Sequence, residues 1–277
     1  MVLSKFNLEG KVALITGASG LLGQEHAYAL LESGAVVVLT DIAPKRLEAA
    51  KAKLSESFAA KSIIIKTMDV TSKSNILSVS EQLANRGFRV DILINNAGID
   101  PKVTKGKGLE DTSRFESLDL EEWKTQLNVG LDGAFLCSQI FGSLMAFDGQ
   151  GGVILNIASD LSVFSPDQRI YRKEGLSENE QPVKPVTYSV IKTGLIGLTR
   201  YLATYWAHKG VRCNALSPGG VFVGQDEIFV QRLKNLIPLN RMANVEEYRS
   251  TIQFLCSEAS SYMTGQNLVV DGGRSVW

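Results

Sequence analysis

The 277-residue chain is predicted to form a doubly wound α/β fold, a mainly parallel seven-stranded sheet with helices on both faces. Three observations predict it. Seven short runs are nearly continuous in apolar residues, as strands buried on both faces must be. Longer segments of helical character separate most of them, which is the rhythm of right-handed βαβ units. The first run leads straight into a glycine-rich turn that opens a helix.

The elements follow in order. Strands are expected at 12–16 (VALIT), 36–40 (VVVLT), 62–66 (SIIIK), 91–95 (DILIN), 153–158 (VILNIA), 211–216 (VRCNAL) and 267–271 (NLVVD). Helical segments include 23–34, 44–58, 121–147 and 187–210. No repeat, low-complexity tract or linker interrupts them, so residues 1–277 are expected to form a single domain. Two polar stretches break the rhythm, 100–119 and 160–186. The second is expected near the carboxyl ends of the strands, where long loops serve as lids or mobile segments.

Composition excludes several classes. Twenty-nine basic and 29 acidic residues cancel, leaving no basic footprint for nucleic acid. Cys137, Cys213 and Cys256 form no CxxC pair and are odd in number, so they read as free thiols of a reducing compartment. His26 and His208 lie far apart in different helices, where a metal site needs a cluster, so both read as structural and no metal is expected. The N-terminus carries charges among its apolar residues, unlike a signal peptide, and no apolar run is expected to span a bilayer. The expectation is a soluble, cytoplasmic protein.

One end of the fold reads as a nucleotide site. In TGASGLLG (16–23), glycines let the chain turn tightly and approach a pyrophosphate, and the helix that follows offers free N–H groups and its positive dipole end. Asp41 closes the second strand 18 residues beyond Gly23, where a carboxylate accepts from adenosine ribose hydroxyls and repels a 2′-phosphate. This favours NAD over NADP. Lys45 and Arg46 just downstream could reach a 2′-phosphate or simply face solvent.

The other informative stretch is YSVIK. Tyr188 and Lys192 lie four apart on a helix and so share a face. A free tyrosine, with a pKa near 10, is a poor base at neutral pH, and a lysine cation beside it favours the phenolate. Such a pair can move a proton to or from an alcohol oxygen.

Taken in order, these motifs resemble the short-chain dehydrogenases/reductases, single-domain branch, over essentially the whole chain. The set comprises TGASGLLG, Asp41, MDV (68–70), NNAG (95–98), Asn128, Ser159, YSVIK, SPGG (217–220) and VVDGG (269–273). The resemblance implies a Rossmann-like fold and an NAD(P)-dependent oxidoreductase that interconverts a secondary alcohol and a ketone. It implies that Tyr188 is the general acid/base and that Ser159 holds the substrate oxygen, with Ser162 and Ser165 as rivals. Lys192 would tune the tyrosine and hold the nicotinamide ribose. Asn128, expected to be buried, would keep a relay water beside Lys192. On the cofactor side it implies Gly17, Ser19, Gly20, Leu21, Leu22 and Gly23 at the phosphates and Asp41 at the ribose. Asp69 and Val70 would flank the adenine, and Asn95, Ala97 and Gly98 the adenosine path. Pro218, Gly219 and Val221 would cover the nicotinamide, and Tyr188 and Lys192 complete that set. Assembly as a homotetramer or homodimer through the two long helices is also implied.

Three departures stand out. Leu21 occupies the middle-glycine place of the family turn, with Gly20 before it. Ser159 and Tyr188 are 29 residues apart, much more than the family pattern, and the loop 160–186 takes up the difference. The threonine that follows PG in the family is missing from GGVFVGQDE (219–227). The loop holds Arg169, Tyr171, Arg172, Lys173 and Lys184 among Asp160, Asp167, Glu174, Glu178 and Glu180. That mixture reads as a solvated surface or as a lid whose arginines meet an anionic group. A polar, sugar-like or activated-sugar substrate is expected. The stretch around YSVIK also resembles members from bacterial surface-glycan and flagellin-glycan biosynthesis. The alternatives are a nucleotide-sugar epimerase or dehydratase with retained NAD, or a non-catalytic NAD(H)-binding sensor.

Overall fold

The computed structural model describes residues 2–99 and 114–277. Seven parallel strands form one sheet, β1 (Val12–Ile15), β2 (Val36–Asp41), β3 (Ile63–Thr67), β4 (Ile92–Asn95), β5 (Gly152–Ile157), β6 (Val211–Pro218) and β7 (Asn267–Val270). Their order is β3-β2-β1-β4-β5-β6-β7, and every neighbouring pair is parallel. Each expected strand is present, because a fully buried strand must be apolar on both sides. The strand order reverses between β1 and β4, and in such sheets ligands bind outside the carboxyl ends at that reversal.

Helices cover both faces. On one, α1 (Leu21–Glu32), α2 (Pro44–Ser55) and α7 (Arg249–Cys256) pack Leu30, Leu47 and Ile252 against the sheet. On the other, α3 (Lys73–Ala84), α4 (Leu120–Phe147) and α5 (Val186–Tyr205) contribute Ile76, Phe141 and Leu202. The short helix α6 (Glu227–Lys234) lies outside these layers. In α4 the bonding slips to i→i+5 at Asn128–Asp132 and again at Ser138–Gly142, a feature common at functional sites.

Helix α4 corrects one expectation, since it is long and apolar enough to cross a membrane. Its buried Gln126 and Ser138 are both hydrogen-bonded inside the protein, and 56% of its most apolar window is buried, as in a core helix. Most of the polar stretch 100–119 lies outside the described residues.

Candidate active site

The carboxyl ends of six strands converge at the reversal, and nearly every candidate residue stands there. After β1, Gly17 adopts φ +60°, a conformation that side chains resist. A Cβ on it would sit 2.8 Å from the Ala97 Cα. Asn96 braces the same turn, its Nδ2 donating to the carbonyls of Thr16 and Gly17 at 3.0 and 3.1 Å. Gly23 is equally constrained, with the Gly17 carbonyl 2.6 Å from where its Cβ would be. Gly20 is the N-cap of α1 and Leu21 its first residue; no side chain caps that end. The Leu21 side chain is half exposed. The shift from glycine is therefore accommodated by pointing the side chain outward. Buried Ser19 and Leu22, partly exposed, complete the turn. An uncapped helix start behind a turn with no room for side chains suits a pyrophosphate, so these residues fit a dinucleotide.

Asp41, at the end of β2, ties this turn down. Its carboxylate accepts from the Ser19 hydroxyl and, at 3.3 Å, from the Ser19 amide, while the Ala43 amide donates to its other oxygen at 3.1 Å. The exposed Arg46 reaches the Ser19 carbonyl at 3.5 Å, whereas Lys45 is exposed on α2. Asp69 accepts from the amide and hydroxyl of Thr71, and Val70 is buried. Gly98 has open space where a side chain would stand.

Asn95, at the end of β4 beside the expected cofactor path, uses its side chain structurally. Its amide is turned into the core, donating to Ser138 at 2.9 Å and to Asn156 at 2.8 Å. Asn156 in turn donates to Thr199 at 2.8 Å. This chain of buried polar groups links α4, β4, β5 and α5.

Ser159 directly follows β5 and is buried. Its hydroxyl donates to Asp160 at 2.8 Å and accepts from the Leu161 amide at 3.2 Å, which leaves one lone pair. Asp160 is itself held by Arg274 from the C-terminal segment, at 3.0 Å, and both are nearly fully buried. Sequence reasoning missed this pair because its members lie 114 positions apart. The rival Ser162 is engaged with Ser217 at 2.9 Å, and Ser165 is exposed.

Helix α5 brings Tyr188 and Lys192 to the same end. The Lys192 ammonium donates to the Ile157 carbonyl at 2.8 Å and lies 5.7 Å from the Tyr188 ring centroid. Beside them, Thr193 bonds the Ser162 carbonyl at 3.4 Å, so α5 is docked on the turn that carries Ser159. Asn128 begins the first widened turn of α4 but is exposed, against the expectation of burial. The buried position of that turn is Gly130, which packs against Ile191, while Gln126 just ahead of the turn is buried and accepts from Thr187, so the face toward α5 belongs to these two.

After β6, Pro218 is buried, and Gly219 packs so close to Asp271 that a Cβ would lie 2.8 Å from its Cα. The Tyr248 hydroxyl donates to the Gly219 carbonyl at 3.1 Å. At Val221, Gln225 donates to the backbone carbonyl at 2.7 Å and accepts from the Val223 amide at 2.8 Å. Gln225 thus secures the segment that lacks the family threonine.

The loop 160–186 is a built structure. Ile170 is buried against Leu233, Ile237 and Met242, and Tyr171 meets Phe229 with ring centroids 5.6 Å apart. Gln181 ties both backbone groups of Lys173 and the Leu176 carbonyl. Its arginines are spent internally, Arg169 on Asp167 and Arg172 on Glu178. Such internal pairs of exposed charges are consistent with the solvated-surface reading.

A family model described as enoyl-(acyl carrier protein) reductase matches residues 17–275. The chain belongs to the short-chain dehydrogenase/reductase family. It is 31% identical to D-threitol dehydrogenase of Mycolicibacterium smegmatis, over 98% of this chain and 95% of that one. It is 32% identical to an NAD-dependent glycerol dehydrogenase of Listeria innocua, over 98% and 96%. The flagellin-glycan resemblance has a counterpart too, post-translational flagellin modification protein A of Campylobacter coli, 29% identical over 96% and 98%. Among solved structures, gluconate 5-dehydrogenase of Burkholderia cenocepacia with NADP and tartrate superposes with a TM-score of 0.83, at 27% identity and full coverage of both chains. The protein is accordingly an NAD(P)-dependent oxidoreductase that interconverts a secondary alcohol and a ketone.

Proposed function

We propose that this protein is a polyol or sugar-acid dehydrogenase that uses NAD in preference to NADP. The observation that supports the reading is the docking of α5 on the end of β5: Lys192 lies 5.7 Å from the Tyr188 ring centroid and donates to the Ile157 carbonyl, and Thr193 bonds the Ser162 carbonyl in the turn that carries Ser159. Relatives named for threitol, glycerol and gluconate support the substrate class. The whole chain would act as one dinucleotide-binding and catalytic domain, with 160–186 as its active-site loop.

When bound, the nicotinamide supplies or takes the hydride. Tyr188 takes the proton from the substrate alcohol, or returns it to the ketone oxygen. Lys192 stabilises the phenolate and holds the ribose. Ser159 turns from Asp160 to hold the substrate oxygen in line. Asn128, at the exposed start of the widened turn, holds the water through which Lys192 exchanges its proton. Gly17, Ser19, Gly20, Leu21, Leu22 and Gly23 would form the phosphate-binding turn, while Asp69, Val70, Asn95, Ala97 and Gly98 would border the adenosine, Asn95 through its backbone, and Pro218, Gly219 and Val221 would border the nicotinamide. The Asp41 carboxylate would accept from the ribose hydroxyls and would repel a 2′-phosphate, so Arg46 alone would not suffice for NADP. We also infer that the chain forms a homodimer or homotetramer and works in the cytoplasm, its three buried thiols each pushed up to about 12 by burial and so unreactive.

The test is a panel of D-threitol, glycerol, galactitol and gluconate with NAD+ and NADP+ separately, run on the native protein and on Tyr188→Phe. Turnover of at least one with NAD+, lost about a hundredfold or more in the variant while NAD+ still binds, is expected. Turnover that survives Tyr188→Phe would remove Tyr188 from the chemistry. Turnover confined to NADP+ would reverse the cofactor assignment. Inactivity on every polyol and sugar acid beside activity on nucleotide sugars would overturn the substrate class.

A further inference from the structure

The inserted loop has a definite contact with the site. The Lys184 ammonium lies 3.7 Å from the centroid of the Tyr188 ring, closer than the 5.7 Å of Lys192. Its backbone is gripped at two points by one side chain of the same loop. The Lys184 amide donates to Gln168 Oε1 at 2.8 Å, and Gln168 Nε2 donates to the Lys184 carbonyl at 3.1 Å. Pro185 then fixes the entry into α5 as its N-cap. The position of Lys184 over the ring is therefore set by the loop and by the helix that carries Tyr188.

We propose that Lys184, held by Gln168, is a second cation that tunes Tyr188 toward the phenolate. This rests on the reading of Tyr188 as the acid/base. The physical ground is simple. A cation over an aromatic face is attracted by the ring, and it is attracted far more once that ring carries a negative charge. Both side chains are only partly exposed, so water screens the interaction incompletely.

The other charged groups packed around α5 do not replace it. The turn after β5 offers Asp160, already paired with Arg274. The start of α4 offers Glu121, paired with Lys124, and Glu122, bonded by Gln126, with Asp132 exposed further along. From β6 come Arg212, which donates to carbonyls near residues 255–263, and the buried thiol of Cys213, with His208 and Lys209 beyond the far end of α5. Among the described residues, Lys184 and Lys192 are the cations that stand over the Tyr188 ring. The two stand on opposite sides in the chain, one ahead of Tyr188 and one behind. The long separation of Ser159 from Tyr188 thus acquires a chemical purpose, because the extra chain supplies both the clamp and the cation.

The experiment is an ultraviolet titration of tyrosinate in the full-length protein without substrate, with the Tyr188→Phe curve subtracted to isolate one residue. In the native protein this step should lie below the usual tyrosine range. Lys184→Gln should raise it by about half a pH unit to one unit, the effect of one charge at this range in a partly exposed site. Lys184→Arg should restore it, and Gln168→Ala should raise it by a smaller amount because the clamp is lost and the charge is kept. A lowered step that Lys184→Gln leaves in place would overturn this inference and leave the role of Tyr188 intact. A native step at the ordinary tyrosine value would overturn both.

Discussion

His26 shows how much one side chain can decide about stability. It is fully enclosed in α1, and neither ring nitrogen has a hydrogen-bond partner among the described residues. Burial alone lowers its pKa from 6.5 to about 3. The folded protein therefore refuses a proton that the unfolded chain accepts below about pH 6.5. Stability is complete above that pH and is lost progressively as the pH falls toward 3, at about 1.4 kcal/mol per pH unit from this residue. His26→Leu should flatten the decline in unfolding free energy between about pH 6 and pH 4 by that slope, as read by urea denaturation. An unchanged slope would show that His26 is protonated in the folded state.

At the scale of elements, the buried chain Ser138–Asn95–Asn156–Thr199 deserves comparison with the apolar packing around it, because it fixes how α4 and α5 sit on β4 and β5. Both asparagines occupy matched positions in adjacent strands. Removing one leaves its partner's amide without its bond inside the core, so Asn156→Ala should cost about 2–4 kcal/mol, measured by chemical denaturation. Adding Asn95→Ala should cost less than the sum of the two single changes, by roughly 1 kcal/mol, since the second change removes a group already left unsatisfied. Simple additivity would show that the two amides act independently. None of this was legible in the sequence. The seven strands were, because burial on both faces writes itself as an unbroken apolar run. So were the Gly17–Gly23 turn, Asp41, and the Tyr188–Lys192 pair, which local spacing brings together. Bonds such as Asp160 to Arg274, or Asn95 to Ser138, join residues far apart in the chain and exist only after the sheet has formed. Asn128 is exposed for a different, local reason: helix periodicity turns its apolar sequence neighbours to other faces.

At the scale of the whole molecule, what remains to be explained is an apolar outer face. Helices α4 and α5 lie side by side, with Gly130 against Ile191 and Leu131 against Gly194. Their outer surfaces keep Phe135, Leu144 and Phe147 on α4 and Tyr201 and Tyr205 on α5 about half exposed or more. The two tyrosines are stacked, with ring centroids 5.4 Å apart. Large exposed apolar patches mark interfaces, so this face is the one that the proposed homodimer or homotetramer would bury. Two 20-residue or longer helices can supply the roughly 800 Å² per partner that a stable contact needs. The proposed occupant is a second copy, because a two-fold axis lets the same patch cover itself. Placing like charges in such a self-contact is costly, since each meets its own image. If the proposed assembly uses this face, the native protein scatters light as a dimer or tetramer at micromolar concentration, and Phe135→Glu with Tyr205→Glu should convert it to smaller species or monomers. The substituted positions are already exposed, so the isolated fold keeps its core and its far-ultraviolet circular dichroism. If the double variant retains the native mass, assembly uses another face, and these aromatic side chains serve some other contact.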